Sequence, residues 1–284
     1  MHLERAVLRV GLVVALASGA AFAQGLNPPY LALGDSIPFG FNPSVPLGDI
    51  ADYHGYPQFV AGALGLNLAN ASCPGETSGS FVNVTAPDNG CHEWRSAGGP
   101  LFVTYSSLTE SQLSYAVSFL KDNPKTKLVT VTISGDDLLL LEEACTAQSS
   151  NSSVIETCIT AGLGKVLGEF AVNLTKVYIG LRLTAHYEGP IIAVNYFSPN
   201  HNNELDTLAI GELDAIMWGL TEAFGGKVAD AFSAFEQASV AGGGLPCASN
   251  VGLAFATAVP GVCDVHPTAA GQQLIASIVE KASK

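Results

Sequence analysis

Short apolar runs alternate with longer stretches of helical pattern along most of this chain of 284 residues. The runs have the length of buried strands, and the stretches between them have the apolar spacing of helices. Strands are predicted at 30–33, 67–71, 127–133, 190–197 and 228–232. Helices are predicted at 56–64, 113–120, 155–187, 204–224 and 268–282. Strands that alternate with helices favour an α/β fold in which helices cover both faces of a parallel sheet.

The N-terminal segment has the pattern of a secretory signal peptide. Two arginines precede an apolar run at 10–17, and a stretch of small residues ends at Ala23. The run is shorter than the ~20 apolar residues that a membrane-spanning helix needs, and no later segment supplies them. We therefore expect a signal peptide at 1–23 and a single domain at 24–284. The protein should be secreted or periplasmic, without a transmembrane segment.

The charge balance is strongly acidic. The chain has 12 basic and 25 acidic residues, which gives a formal net charge of −13. Nucleic acid is a poor partner for such a chain because its phosphates are bound by basic side chains. We expect no nucleic-acid partner.

The six cysteines are an even number, and export would permit them to form disulfide bonds. Six cysteines can pair in fifteen ways. Pairing between sequence neighbours is favoured because each such pair brackets a loop-like, polar or glycine-rich stretch. The predicted pairs are Cys73 with Cys91, Cys145 with Cys158, and Cys247 with Cys263. None has the CxxC spacing of a zinc or redox site, so a structural role is predicted.

A serine follows the first predicted strand through a tight Gly-Asp turn, in the segment LALGDSIPFG at 31–40. Functional loops gather at the carboxyl ends of parallel strands. A turn in this place can present the hydroxyl of Ser36 and its own N–H to a substrate. The tripeptide alone is weak evidence, because Asp-Ser is also common in turns and helix caps.

Two later segments contain residues that could act together with Ser36. In NASCPGET, after the second predicted strand, Gly75 allows close approach of the backbone and can aim an N–H at a developing oxyanion. In DVHPTAAG, before the last predicted helix, His266 could take the proton from Ser36 while an acid orients its ring.

In this order, the segments resemble the conserved blocks of the SGNH (GDSL) hydrolase family. The four blocks read LALGDSIPFG, ANASCPGETSG, VTISGDDLLL and DVHPTAAG, and they span 31–271. The resemblance implies a three-layer α/β/α sandwich with a flavodoxin-like parallel sheet. It also implies hydrolysis of carboxylic acid esters, of the esterase or lipase type, through an acyl-enzyme and without a metal or organic cofactor.

The resemblance assigns roles by position. Ser36 matches the nucleophile and supplies one oxyanion N–H, Gly75 supplies a second, and His266 matches the base. The family's acid usually stands three residues before the histidine, whereas Asp264 stands two before it and Cys263 has the expected place. Either Asp264 or a backbone carbonyl could orient the imidazole.

The third block departs further from the family. Asp136 stands where the family has an oxyanion-binding asparagine, and Ser134 stands where a glycine is common. Sliding the alignment by one residue puts Asp137 there instead, and neither register supplies the asparagine. An ionised carboxylate donates no hydrogen bond, so the oxyanion hole is predicted to be altered.

Two hypotheses follow. The first is a working serine hydrolase, acting as a monomer on a small-molecule, lipid or polymer ester. The second is an impaired SGNH-fold protein that binds a ligand or partner, because Asp136 replaces the asparagine. A metal site is a third, weaker alternative, which no close-spaced ligand motif supports. In it His266 could converge with Asp35, Asp136, Asp137 and Asp264.

Overall fold

Five parallel strands form the central sheet of the computed structural model, which describes residues 27–46, 48–103, 105, 107–249, 252–255 and 261–284. The strands are β1 (Pro29–Gly34), β2 (Asn67–Asn70), β3 (Leu128–Thr132), β4 (Ile191–Val194) and β5 (Lys227–Ala229). Their order is β2-β1-β3-β4-β5, with every neighbouring pair parallel. This is the flavodoxin-like order, so the predicted sheet is confirmed.

Helices flank the sheet in two layers. They are α1 (Ser36–Phe39), α2 (Tyr56–Leu64), α3 (Ser78–Val82), α4 (Cys91–Ser96), α5 (Gln112–Asp122), α6 (Gly135–Thr146), α7 (Ser152–Ile179), α8 (Glu204–Ala223), α9 (Ala231–Ser239) and α10 (Ala269–Ala282). In one layer α10 packs against α2 and α9, and in the other α7 packs against α3, α6 and α8. The α/β/α sandwich is therefore confirmed.

The sheet is apolar because helices bury both of its faces. Every residue of β3 and β4 is buried, as are five of the six residues of β1. The polar groups among these side chains pair with each other. Tyr30 shares a hydrogen bond of 2.8 Å with Thr130, and Tyr56 shares one of 2.8 Å with Thr132. Each of these four buried hydroxyls therefore has a hydrogen-bond partner.

Two elements beside the candidate site were not predicted. The first is α6, which begins at Gly135 where the sequence indicated only a turn. Asp136 and Asp137 occupy its first turn, where acidic side chains interact well with the helix dipole. The second is a separate antiparallel pair of strands, β6 (Leu253–Phe255) and β7 (Cys263–Pro267).

The strand predicted at 228–232 is shorter in the structure. It ends at Ala229 because α9 begins at Ala231. The Asp230 side chain accepts a hydrogen bond of 3.1 Å from the backbone N–H of Ser233 and so caps that helix. An N-cap aspartate within an apolar run ends the strand and starts the helix.

The three predicted disulfide pairings are confirmed. They are Cys73–Cys91, Cys145–Cys158 and Cys247–Cys263. The first ties the loop after β2 to α4, the second ties α6 to α7, and the third ties β7 to the short helical turn at Pro246–Ala248. All three therefore fasten segments outside the central sheet.

The leader predicted at 1–23 lies outside the described residues. Across the ranges that the structure does describe, none of the helices combines the length and the apolar character needed to cross a membrane.

Candidate active site

Ser36 lies at the carboxyl end of β1, where the strand order reverses between β1 and β3. Ligands of open α/β sheets bind at such a switch point. The turn before Ser36 requires a glycine, because Gly34 has φ +136° and a Cβ there would lie 1.9 Å from the carbonyl oxygen of Thr132. The chain can then turn sharply into α1, which begins at Ser36. Ser36 is 9% exposed and lies at the carboxyl ends of the strands.

Ser36, His266 and Asp264 form a continuous hydrogen-bonded chain. The Oγ atom of Ser36 lies 2.9 Å from Nε2 of His266. On the other side of the ring, Nδ1 lies 2.5 Å from Oδ1 of Asp264. If the ring proton is on Nδ1, Nδ1 donates a hydrogen bond to Asp264. Nε2 can then accept a hydrogen bond from the Ser36 hydroxyl. The arrangement can remove a proton from Ser36 as it attacks a carbonyl carbon.

The two-residue spacing of Asp264 and His266 follows from the strand that carries them. Both lie in β7, and side chains two apart in a strand point to the same face. Burial alone would raise the pKa of Asp264. Hydrogen bonds from the ring and backbone N–H of His266, together with the ring's charge, instead hold that pKa below its usual value. The structure thus places the side chain of Asp264, rather than a backbone carbonyl, against Nδ1.

Gly75 lies in a loop whose geometry only glycine can adopt. Its φ is +81°, and a Cβ would lie 2.2 Å from the carbonyl oxygen of Asn89. The backbone N–H of Asn89 donates a hydrogen bond of 2.8 Å to the Gly75 carbonyl. Within the described ranges, no group accepts a hydrogen bond from the N–H of Gly75 or of Ser36. Both N–H groups are therefore available to a ligand.

Asp136 is buried in the first turn of α6, with 5% of its surface exposed. Burial raises its pKa to about 7, although the side-chain amide of Asn89, which donates to Oδ1 at 2.9 Å, opposes the rise. The negative charges of Asp137 and Asp88 raise it further. Near neutral pH a substantial fraction of this carboxyl is therefore protonated, and a protonated carboxyl can donate a hydrogen bond.

The structure separates the two registers left open by the sequence. Asp136 and Ser36 line the same cavity. Both carboxylate oxygens of Asp137 are engaged by Ser78, whose N–H donates at 2.8 Å and whose hydroxyl donates at 2.6 Å. Asp137 lines a different cavity, against α3 and α7. Of these two acids, Asp136 is the one that shares a cavity with Ser36.

Asp35 supports the turn that carries Ser36. Its Oδ1 accepts a hydrogen bond of 2.9 Å from the N–H of Ile37, and its Oδ2 accepts one from the hydroxyl of Tyr196 at the end of β4. Burial, followed by the charge of Asp136, raises the pKa of Asp35 well above its ordinary value. The side chain caps α1 and links the β1 turn to β4.

Gln112 joins the two loops that hold the free N–H groups. Its Oε1 accepts from the N–H of Gly34 at 2.6 Å, and its Nε2 donates to the Gly34 carbonyl at 2.9 Å. The same Nε2 donates to Oε2 of Glu76, which directly follows Gly75, at 3.0 Å. Burial raises the pKa of Glu76 to about 7, against hydrogen bonds from Ser80 and Gln112. No local sequence pattern singled out Gln112, because its role depends on tertiary contacts.

A cavity of about 340 Å³ lies beside Ser36. Along α6 it is lined by Gly135, Asp136, Leu138, Leu139, Glu142 and Thr146. Opposite and around these, its apolar wall is formed by Ile155, Ile159, Phe197, Ile210, Leu213 and Val265. Ser36 therefore borders a largely apolar cavity.

Aromatic rings lie on another side of the site. Phe41 packs against the imidazole of His266, with ring centroids 4.7 Å apart. Phe39 and Tyr53 are fully buried and pack together at 5.0 Å, so these two rings belong to the packing beneath the site. The ring of Phe41 also meets that of Trp94 edge-on, at 6.2 Å.

Within the described ranges, the acids near Ser36 do not form a metal-binding cluster. Among the described residues, one cluster of potential ligand atoms is tight enough for an ion, and it contains Cys73, Glu76 and Cys91. Its two cysteines are joined in a disulfide bond, which leaves a single ligand. In the part of the chain that the structure describes, the set considered for a metal, namely Asp35, Asp136, Asp137, Asp264 and His266, does not form such a cluster.

Comparison of the structure with solved structures gives matches along nearly the whole chain. An extracellular lipase from Streptomyces rimosus matches with a TM-score of 0.58 at 18% identity, covering 90% of this chain and 99% of that one. Phospholipase A1 from Streptomyces albidoflavus matches with a TM-score of 0.57 at 19% identity, with the same coverage of 90% and 99%. An acetylxylan esterase from Geobacillus stearothermophilus matches with a TM-score of 0.54 at 16% identity, covering 90% and 94%.

No protein-family model matches the chain, and no curated protein sequence matches it. The likeness is thus one of structure rather than of sequence. At these identities it establishes the fold. The chain has the α/β/α fold of the GDSL-type lipases and esterases.

Proposed function

We propose that this protein is an SGNH-type serine hydrolase that cleaves carboxylic acid esters through an acyl-enzyme on Ser36. The observation that carries the proposal is the chain of hydrogen bonds from Ser36 through His266 to Asp264. A nucleophile, a base and an orienting acid in this order have one well-understood use, which is acyl transfer. The fold shared with lipases and esterases supports the same reaction class.

In the first half-reaction, Nε2 of His266 accepts the hydroxyl proton of Ser36 while Oγ attacks the ester carbonyl. Asp264 stabilises the imidazolium that forms. Collapse of the tetrahedral intermediate breaks the bond to the alcohol, and the imidazolium returns its proton to the leaving oxygen. In the second half-reaction His266 removes a proton from water, which attacks the carbonyl carbon of the acyl-enzyme. Collapse of the second tetrahedral intermediate breaks the bond to Oγ of Ser36, the imidazolium returns its proton to that oxygen, and the acid is released.

The negative oxygen of each tetrahedral intermediate is held by three donors in this proposal. Two are the free N–H groups of Ser36 and Gly75. The third is the carboxyl of Asp136 in its protonated form, with the proton on Oδ2 because Asn89 donates to Oδ1. Donors fixed before the reaction stabilise the charge that develops during it. Burial of Asp136 supports this role because it keeps the carboxyl neutral to a higher pH.

We also propose that the active form is an exported monomeric domain at 24–284, freed of a leader at 1–23. The three disulfide bonds support an oxidising location. A structurally similar lipase is extracellular.

The test is hydrolysis of p-nitrophenyl butyrate together with labelling by a serine-reactive phosphonate. Ser36→Ala should abolish both, because no other group in the chain of hydrogen bonds can form the acyl-enzyme. Ser44→Ala is a matched control, since Ser44 is exposed on the loop after α1. Undiminished labelling of the Ser36→Ala protein would refute the nucleophile assignment.

The carboxyl of Asp136 favours a second candidate function, in which the fold binds a ligand without turning it over. An ionised carboxylate in the oxyanion position repels the charge that catalysis must create. Under this alternative the wild-type protein would hydrolyse no ester at any pH, and Asp136→Asn would confer activity. Measurable turnover by the wild type that depends on Ser36 excludes it.

A further inference from the structure

The N–H of Gly75 lies in the middle of a tight turn. The N–H of Glu76 donates a hydrogen bond of 3.1 Å to the carbonyl of Cys73, which closes the turn. Pro74 and Gly75 occupy its two central positions, and Gly75 has φ +81°. A proline followed by a glycine at positive φ is typical of a type II turn. In a type I turn the peptide between these two residues is rotated by roughly 180°, so the turn type decides where the Gly75 N–H points.

The carbonyl of Gly34 holds the first end of this turn. It accepts a hydrogen bond of 3.0 Å from the N–H of Cys73. Cys73 is also joined to Cys91 by a disulfide bond. Because Gly34 lies two residues before Ser36, the start of the Gly75 turn is fixed to the turn that carries the nucleophile.

Gln112 connects the second end of the turn to the same carbonyl. Its Nε2 donates to the Gly34 carbonyl at 2.9 Å and to Oε2 of Glu76 at 3.0 Å. Its Oε1 accepts from the N–H of Gly34 at 2.6 Å. A side-chain amide has two N–H donors and an oxygen acceptor, so one glutamine can bind all three groups. Both ends of the Gly75 turn are therefore fixed relative to Gly34.

The connection is rigid because its members are buried and fully engaged. Gln112 is 0% exposed and Glu76 is 3% exposed. The second carboxylate oxygen of Glu76, Oε1, accepts a hydrogen bond from the hydroxyl of Ser80. Gln112 is the first residue of α5, whose N-terminus is capped by the side chain of Ser111. Hydrogen bonds are stronger in such a buried setting than in water, so each bond resists displacement.

We infer that Gln112 is a positioning residue that sets the distance and direction between the N–H groups of Ser36 and Gly75. The inference rests on the proposed function, because it concerns the oxyanion hole of that same site. Gln112 does not line the cavity beside Ser36, so it acts through Gly34 and Glu76 rather than on the substrate. Oxyanion donors stabilise the transition state only when they are fixed at the position where the negative charge develops.

The first test is Gln112→Met, which keeps the length of the side chain and removes its three hydrogen bonds. Ester hydrolysis is expressed per active site, counted by the serine-reactive phosphonate bound at completion, so misfolded molecules do not enter the rate. We expect kcat to fall by at least about tenfold while KM changes by less than about threefold, because oxyanion donors act mainly in the transition state.

Thr221→Val is the matched control for a purely structural effect. Thr221 is 0% exposed and shares a hydrogen bond of 2.6 Å with the hydroxyl of Tyr178. It lies at the amino end of β5, where its carbonyl accepts from the N–H of Gly226, whereas Ser36 lies at the carboxyl ends of the parallel strands. Both substitutions remove buried hydrogen bonds, so both should lower the melting temperature. A Gln112→Met protein that keeps the wild-type kcat per active site, as Thr221→Val should, would overturn the positioning role.

Substitution of Glu76 tests the same connection from its other end and decides the matter if Gln112→Met does not fold. Glu76→Met removes the acceptor for Gln112, so kcat per active site should fall by at least about fivefold. Glu76→Gln keeps an oxygen that can accept from Gln112, so its kcat should stay within about twofold of the wild type. Equal kcat values for the Glu76→Met and Glu76→Gln proteins would overturn the inference.

The double variant and the wild type complete the experiment. In a Gln112→Met protein the connection is already cut, so adding Glu76→Met should lower kcat little further. Independent, multiplicative losses would contradict a single connection through these two side chains. A wild-type protein that hydrolyses no ester would overturn the proposed function. Wild-type turnover that depends on Ser36, together with unchanged kcat in the Gln112 and Glu76 variants, would overturn the inference alone.

Discussion

The side-chain amide of Asn89 donates a hydrogen bond of 2.9 Å to Oδ1 of Asp136. The backbone of Asn89 also pairs with Gly75, through an N–H to carbonyl hydrogen bond of 2.8 Å. One residue thus joins two of the proposed oxyanion donors. It also leaves only Oδ2 of Asp136 to carry a proton toward Ser36.

The pH dependence of catalysis should report the ionisation of Asp136. Its raised pKa of about 7 means that the carboxyl is neutral below this pH and donates, and is ionised above it and repels the oxyanion. Near pH 8 about nine-tenths of it is ionised, so Asp136→Asn should raise kcat there by about tenfold. Near pH 6 the gain should be small. The measurement is kcat against pH for both proteins on one ester.

Asp137→Asn is the control for this prediction. Asp137 lies in the same turn of α6 but accepts hydrogen bonds from Ser78 and lines a different cavity. Its substitution should keep the alkaline fall in kcat but move it to a lower pH, because the charge of Asp137 helps to raise the pKa of Asp136. An Asp136→Asn protein with the same pH profile as the wild type would show that this carboxyl does not contact the oxyanion.

Asp264→Asn should lower kcat by at least about a hundredfold at neutral pH, because an amide can hold the imidazole in the wrong tautomer. The pKa of Asp264 is held below its ordinary value, so the wild-type carboxylate is ionised throughout the neutral range. Its own protonation should reduce activity only in strongly acid solution. Asp52→Asn serves as the control, on an exposed acid. An active Asp264→Asn protein would assign the orienting role to another group.

Gly75→Ala should lower kcat by about a hundredfold or more, because the added Cβ would lie 2.2 Å from the Asn89 carbonyl oxygen and displace an oxyanion donor. Gly98→Ala is a matched control. Gly98 has a similar φ of +76° but no atom within 4 Å of an added Cβ. Both variants carry the backbone strain, and Gly75→Ala also carries the clash, so its melting temperature should fall further than that of Gly98→Ala. Equal activities would contradict the role of the Gly75 N–H.

Ser134→Gly should stabilise the protein by about 1 kcal/mol or more. Ser134 has φ +134°, a region that favours glycine, and its buried hydroxyl has no hydrogen-bond partner. Urea unfolding measures the change. Ser134→Ala separates the two causes, because it removes the hydroxyl and keeps the strained backbone. A Gly variant no more stable than the Ala variant would show that the backbone carries no cost.

Much of the fold could be predicted because its main elements have strong local patterns. The helix at Tyr56–Leu64 has the predicted bounds, and the strands β1, β3 and β4 are almost entirely buried. The β7 strand was missed because its sequence, Cys-Asp-Val-His-Pro, has polar side chains and ends in proline. Its pairing with β6 comes from tertiary structure.

The candidate site, like the fold, has parts that the sequence predicts and parts that it does not. Ser36, Gly75 and His266 stand in turns or motifs that sequence can identify, and the structure brings Ser36 and His266 together at 2.9 Å. The two-residue spacing of Asp264 could not be interpreted without knowing that β7 is a strand. No sequence pattern indicated the role of Asn89. Its hydrogen bond to Asp136 joins residues 47 positions apart, and Asn89 lies in the loop that ends at Gly90.

The nucleophile and its base are separated by 230 positions in the sequence. Ser36 follows the first strand of the sheet, whereas His266 is carried by a peripheral ribbon near the C-terminus and fastened through Cys247–Cys263. During synthesis Ser36 emerges 230 positions before His266. Until the ribbon docks, the growing chain holds the Ser36 hydroxyl without the imidazole that would act as its base. Under the proposed function, competence for hydrolysis is therefore acquired late, only when the ribbon that carries His266 has docked.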